Sequence, residues 1–97
     1  MNKPIQLVAI WDDRDNTEHV TAIVYGLKQD LEILHGMLDN AGDDEVSFNG
    51  WSRYAVHCDL VQPVKYAGFW LIDFDVDLDL EETQAVKKVK ELISQFI

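Results

Sequence analysis

Thr17-Glu-His-Val-Thr-Ala-Ile-Val-Tyr25 decides the fold. Taken with a period of two, Val20, Ala22 and Val24 share one face of a strand. Taken with a helical period, Val20, Ile23, Val24, Leu27, Leu31, Leu34 and Leu38 form one stripe with Asn16 as a cap, and a single helix runs from Thr17 to Ala41. A strand is favoured. The segment is crowded with β-branched residues, which stiffen the side chain against the preceding helical turn, and Gly26 interrupts a long helix.

Working outward, Ile5-Gln-Leu-Val-Ala-Ile-Trp11 is rich in large apolar residues and predicts a strand over 5–11. Asp12-Asp-Arg-Asp-Asn16 reads as a polar turn, so strands 5–11 and 17–25 form a hairpin. Downstream, Leu27, Leu31, Leu34 and Leu38, flanked by Ile33 and Met37, predict a helix over 27–41 that stops at Gly42 in the left-handed conformation. Asn49-Gly50 between Val46-Ser-Phe48 and Trp51-Ser-Arg-Tyr54 signals a second hairpin, because a type I′ turn needs positive φ at both central residues. Its returning strand, 51–61, alternates Tyr54, Val56, Cys58 and Leu60 against Arg53, Ala55, His57 and Asp59. Gln62-Pro63 turns the chain into a last strand over 68–78. Asp79, with Glu82 as the partner of a capping box, opens a helix over 80–96 whose apolar face is Ala85, Val86, Val89, Leu92, Ile93 and Phe96. The expectation is one α+β domain over residues 1–97, an antiparallel sheet of four to five strands with two helices packed on one face.

The 97 residues suffice for one modest core. Eighteen Asp and Glu against eight Lys and Arg leave a formal charge of −10. That opposes direct binding to nucleic acid, which needs clustered cations, and docking on an anionic membrane surface. The single cysteine, Cys58, leaves no internal disulfide and no multi-cysteine zinc site. No apolar run approaches the ~20 residues of a membrane span. Ile5 to Trp11 is too short for a signal-peptide core and runs straight into acids. The expected location is a cytoplasm.

The last strand carries the sharpest functional signal. In Trp70-Leu-Ile-Asp-Phe-Asp-Val-Asp-Leu-Asp79, the residues Trp70, Ile72, Phe74, Val76 and Leu78 share one face, and Asp73, Asp75 and Asp77 the other, with Asp79 just beyond. Neighbouring carboxylates on one strand face lie ~6.6–6.8 Å apart, about the through-space separation of successive phosphates on one DNA strand. A solvated edge-strand face is the plain alternative. Against it, aspartate forms strands poorly, and stacked like charges repel. The same spacing holds carboxylates too far apart to share a calcium ion at ~2.3–2.6 Å, and the calcium-loop pattern fails where Leu78 and Gln84 replace its Gly and Glu. Other acids cluster at Asp12, Asp13, Asp15 and Glu18, at Asp43, Asp44 and Glu45, and along the first helix at Asp30, Glu32 and Asp39.

Nothing indicates chemistry. His19, His35 and His57 have no metal-binding spacing. Cys58 reads as core, not nucleophile, and no glycine-rich phosphate loop is present. The expectation is a protein that is not an enzyme, with no catalytic residues, no cofactor and no metal. Trp11, Trp51 and Trp70 read as core, with Trp51 the candidate exposed anchor.

In size and acidity over the whole chain, and locally in Asp73, Asp75, Asp77 and Asp79, the sequence resembles small phage-encoded acidic inhibitors that imitate DNA. Within that group it is most similar to type I-F anti-CRISPR proteins of the DNA-mimic kind. These inhibitors share no diagnostic motif, so the resemblance transfers no site residue. It implies a partner, the basic cleft through which a crRNA-guided surveillance complex recognises the PAM duplex, and a setting, the bacterial host cytoplasm. Inhibition would then be steric competition with DNA. The working surface, read from the residues themselves, is Asp73, Asp75, Asp77 and Asp79, extended by Asp13, Glu18, Asp30 and Asp44. An immunity protein or antitoxin that neutralises a basic nuclease toxin is the alternative, and an assembly protein whose acidity serves solubility a third.

Overall fold

A computed structural model describes residues 5–55 and 67–97, the side chains of 51, 53–55 and 67 excepted. The chain is an α+β fold. Strands β1 (Ile5–Asp13), β2 (His19–Leu27), β3 (Val46–Ala55) and β4 (Ala67–Val76) form one antiparallel sheet in the order β1-β2-β4-β3. Between them lie a single helical turn, α1 (Arg14–Thr17), and the helix α2 (Lys28–Leu38). Helix α3 (Glu82–Ser94) follows β4.

The deciding segment forms a strand, as its β-branched residues require, but that strand spans His19–Leu27, with Thr17 in the preceding helical turn. The polar segment expected as a turn closes into α1, which ends on Glu18 at φ 67°. With β2 paired on both sides, Val20, Ala22 and Val24 become fully buried. Ile72, Phe74 and Val76 of β4 lie beside them, and Leu31, Leu34 and Leu38 of α2 and Ala85, Val89, Leu92 and Ile93 of α3 complete the same buried cluster.

Two irregularities re-phase the edge strands. In β1 the register slips between Leu7 and Ala9, leaving Val8 as an extra, exposed residue. This bulge lets Ile5 and Leu7 on one side and Ile10 and Asp12 on the other all sit opposite the inward residues of β2. In β3 the slip falls between Phe48 and Ser52. Asn49-Gly50 is therefore not a hairpin turn. Only Gly50 of the pair has positive φ, at 92°, which suits a bulge and not a type I′ turn. Residues 46–55 run as one strand along β4, where pairing on both sides of the bulge satisfies more backbone than a three-residue hairpin arm would.

The helix ends also differ from expectation. α2 ends at Leu38, and residues 39–41 unwind through bonds from Asn40 N to Met37 O and Ala41 N to Leu38 O. Gly42 does not adopt positive φ. It is needed for close approach, since a Cβ there would lie 2.8 Å from Ser47 Cα and Val46 O. Asp79 does not cap α3. The N-cap is Glu81, without a side-chain bond, and Asp79 N instead donates to Asp77 Oδ1 at 2.9 Å. The expected strand residues 56–61, with Cys58 and His57, lie outside the described residues, as does the side chain of Trp51.

Candidate functional site

In an antiparallel sheet ordered β1-β2-β4-β3, the end of β1, the start of β2, the end of β4 and the start of β3 lie together. The pairings Asp13↔His19↔Asp75↔Ser47 run across that end. Three acidic segments far apart in sequence thereby meet: Asp13, Asp15 and Glu18 around α1, Asp75, Asp77 and Asp79 after β4, and Asp43, Asp44 and Glu45 before β3. Asp77 N donates to Glu45 O at 2.9 Å, joining the last two directly. Three strand spacings make this end ~14 Å wide.

Two cations here, Arg14 and Lys88, are engaged. Arg14 donates from Nε and Nη2 to the two carboxylate oxygens of Asp12, at 2.9 and 2.7 Å. Nη1 and Nη2 also donate to Asp77 O and Leu80 O, both at 2.8 Å. The guanidinium therefore bolts the chain leaving β4 against the end of β1 and is turned away from solvent, its side chain 10% exposed. The hydrogen bonds from Arg14 hold the Asp12 carboxyl below its ordinary pKa. Lys88 of α3 pairs with Glu45 at 2.6 Å, which raises the lysine's pKa. Asp43 accepts the backbone N–H groups of Glu45 and Val46, and these bonds lower its pKa.

The acidic ladder is not one exposed row. Asp73 is buried, with 4% of its surface accessible, and accepts the Thr21 hydroxyl at 2.8 Å. It sits between Thr21 of β2 and the bulge of β3, which falls between the Phe48↔Phe74 and Ser52↔Ile72 pairings, a position that strand alternation alone does not reveal. Asp75 is exposed, lies 3.0 Å from His19 Nδ1 and accepts Asn49 Nδ2 at 3.2 Å. Asp77 and Asp79 are exposed beyond the strand. Asp13, Glu18 and Asp44 join Asp75 at the same end. Asp30 does not: it lies in the first turn of α2, which begins where β2 finishes at the opposite end of the sheet.

Trp11 was expected in the core and is 58% exposed, because the bulge at Val8 turns it to the face opposite Ile10. Trp70 is half-buried and donates its indole N–H to Gly26 O at 3.2 Å. Among the described residues, no group of three His, Cys, Asp or Glu is placed to hold a metal ion, and no helix is long and apolar enough to cross a membrane. No protein-family model matches the chain, and neither the curated proteins nor the solved structures contain a match.

Proposed function

We propose that the protein is a DNA mimic whose acidic end occupies the basic DNA-binding cleft of a partner and blocks duplex binding sterically, without catalysis. The observation that carries this is the convergence of Asp13, Asp15 and Glu18, Asp75, Asp77 and Asp79, and Asp43 and Asp44 on one end of a rigid sheet. Successive phosphates of one DNA strand are ~7 Å apart through space, about twice their ~3.4 Å axial rise, so an acidic end ~14 Å wide spans two such intervals. Arginine pairs with carboxylate as readily as with phosphate, and the negative field steers encounter with a cationic cleft. The partner named by the resemblance is the PAM-recognising cleft of a type I-F surveillance complex in the bacterial cytoplasm, where Arg and Lys meet duplex DNA.

The test is charge reversal that spares the fold. A lysine at Asp73 would be buried, so that position is unsuitable. Asp15, Asp44 and Asp79 are exposed, one from each segment. The triple variant Asp15→Lys, Asp44→Lys, Asp79→Lys should fold as the wild type does. Its inhibition of target-duplex binding by the purified surveillance complex should weaken by tenfold or more, because like-charge contacts at an interface cost several kcal/mol. Association of the wild type should slow as the Debye length shrinks from ~10 Å at 0.1 M salt to ~3 Å at 1 M. A folded triple variant that inhibits as well as wild type overturns the proposal.

A further inference from the structure

We infer that Trp11, with the carboxylates beside it, receives arginine side chains of the cationic partner, the indole stacking on a guanidinium that the acids pair with. This rests on the reading of the acidic end as a docking surface, and it names what that surface selects. Trp11 stands on an edge strand with 58% of its surface in water. Its neighbours Ile10 and Asp12 occupy the core-side register opposite Ala22 and Val20, so Trp11 shares the other face with Asp13, one strand repeat (~6.8 Å) away. Asp13 is in turn paired across the sheet with His19, and His19 with Asp75. The indole thus borders the acidic row. Arg14, the cation nearest in sequence, is held away by Asp12 and by the carbonyls of Asp77 and Leu80.

Charge complementarity sets the occupant. A chain of charge −10 opposes a second copy of itself and any anionic ligand at this face. Between the two cationic side chains, the indole favours arginine. Guanidinium is flat, weakly hydrated, stacks on aromatic rings and pairs with carboxylates through two parallel bonds, whereas the lysine ammonium is compact and strongly hydrated. The carboxylates alone would attract both. The aromatic surface is what makes the site discriminate.

The experiment measures affinity for oligoarginine and oligolysine peptides of equal length and charge, at fixed salt, with wild type, Trp11→Leu and Trp11→Tyr. The expected result is tighter binding of oligoarginine by wild type, a margin that falls by about two- to fivefold in Trp11→Leu, the size a cation–π contact supplies at an exposed site. Oligolysine affinity should change less, and Trp11→Tyr should keep most of the margin. Equal affinity for both peptides in wild type, or an arginine preference that Trp11→Leu leaves intact, overturns the inference. Failure of the DNA-mimic reading looks different: the arginine preference and its dependence on Trp11 persist while the wild type leaves target-duplex binding by the surveillance complex unaffected.

Discussion

Replacing Arg14 with methionine removes the bolt between the end of β1 and the chain leaving β4. Four bonds are lost: two to Asp12, at 2.9 and 2.7 Å, and one each to Asp77 O and Leu80 O, at 2.8 Å. Charged hydrogen bonds contribute ~1.5–3 kcal/mol, and stranding one partner of a buried ion pair costs ~3–5. Both side chains are well covered, 10% exposed for Arg14 and 8% for Asp12, yet they sit at the periphery with little protein beyond them, so water still screens the pair. The expected loss is therefore about 2–3 kcal/mol, or a Tm lower by on the order of 10–20 °C for a domain of this size. Adding Asp12→Leu removes the stranded carboxylate and should recover part of the loss. Recovery is incomplete because Leu80 O loses its Arg14 donor and Asp77 O keeps only the backbone N–H of Leu80, at 3.1 Å. The assay is urea unfolding followed by tryptophan fluorescence across pH. Arg14 lowers the pKa of Asp12, so the stabilisation is fully present above the ordinary carboxylate value of about 4 and is lost as pH falls through the lowered one. The gap between wild type and Arg14→Met should narrow in acid. A loss below ~0.5 kcal/mol, with no narrowing in acid, would refute the bolt and mark the pair as a solvated surface contact.

Burial holds the imidazole of His35, packed 5.1 Å from the Phe48 ring, below the ordinary histidine pKa, against the opposing pull of Asp39 and Glu32. The unfolded chain therefore takes up this proton at higher pH. Stability relative to His35→Leu should fall as pH drops from about 6.5 towards the lowered value, no more steeply than ~1.4 kcal/mol per pH unit, and level off below it. A flat difference across that window would count against the burial of the ring. Two glycines should respond oppositely in thermal unfolding. Gly36→Ala, where a Cβ meets nothing within 4 Å, should stabilise α2 by about 1 kcal/mol. Gly42→Ala, which forces a Cβ to 2.8 Å from the backbone of Val46 and Ser47, should destabilise by roughly 1–3 kcal/mol.

The residue pattern encodes the main strands and the two longer helices with most of their apolar faces, but not α1, which forms where a turn is expected. The β-branched run around Val20 to Val24, the leucine stripe of α2 and the alternation of Ile72, Phe74 and Val76 each encode a period, and period depends only on local geometry. Composition also sets the formal net charge of −10. Tertiary structure alone decided which acids are exposed and which meet. Asp73 has the same alternation as Asp75 and lies on the same inner strand, yet Asp73 is buried beside Thr21 and opposite the β3 bulge, while Asp75 is exposed at the end of the sheet, a difference that periodicity does not carry. The convergence of the segments around Asp15, Asp44 and Asp79 follows from antiparallel order, which brings distant chain ends to one edge of the sheet. Asn49-Gly50 shows the same division. Its preference for positive φ was legible, but whether that conformation closed a hairpin or bulged a strand depended on how far β4 could pair. The exposure of Trp11 likewise depended on one extra residue at Val8, because a single slip in register moves every following side chain to the other face.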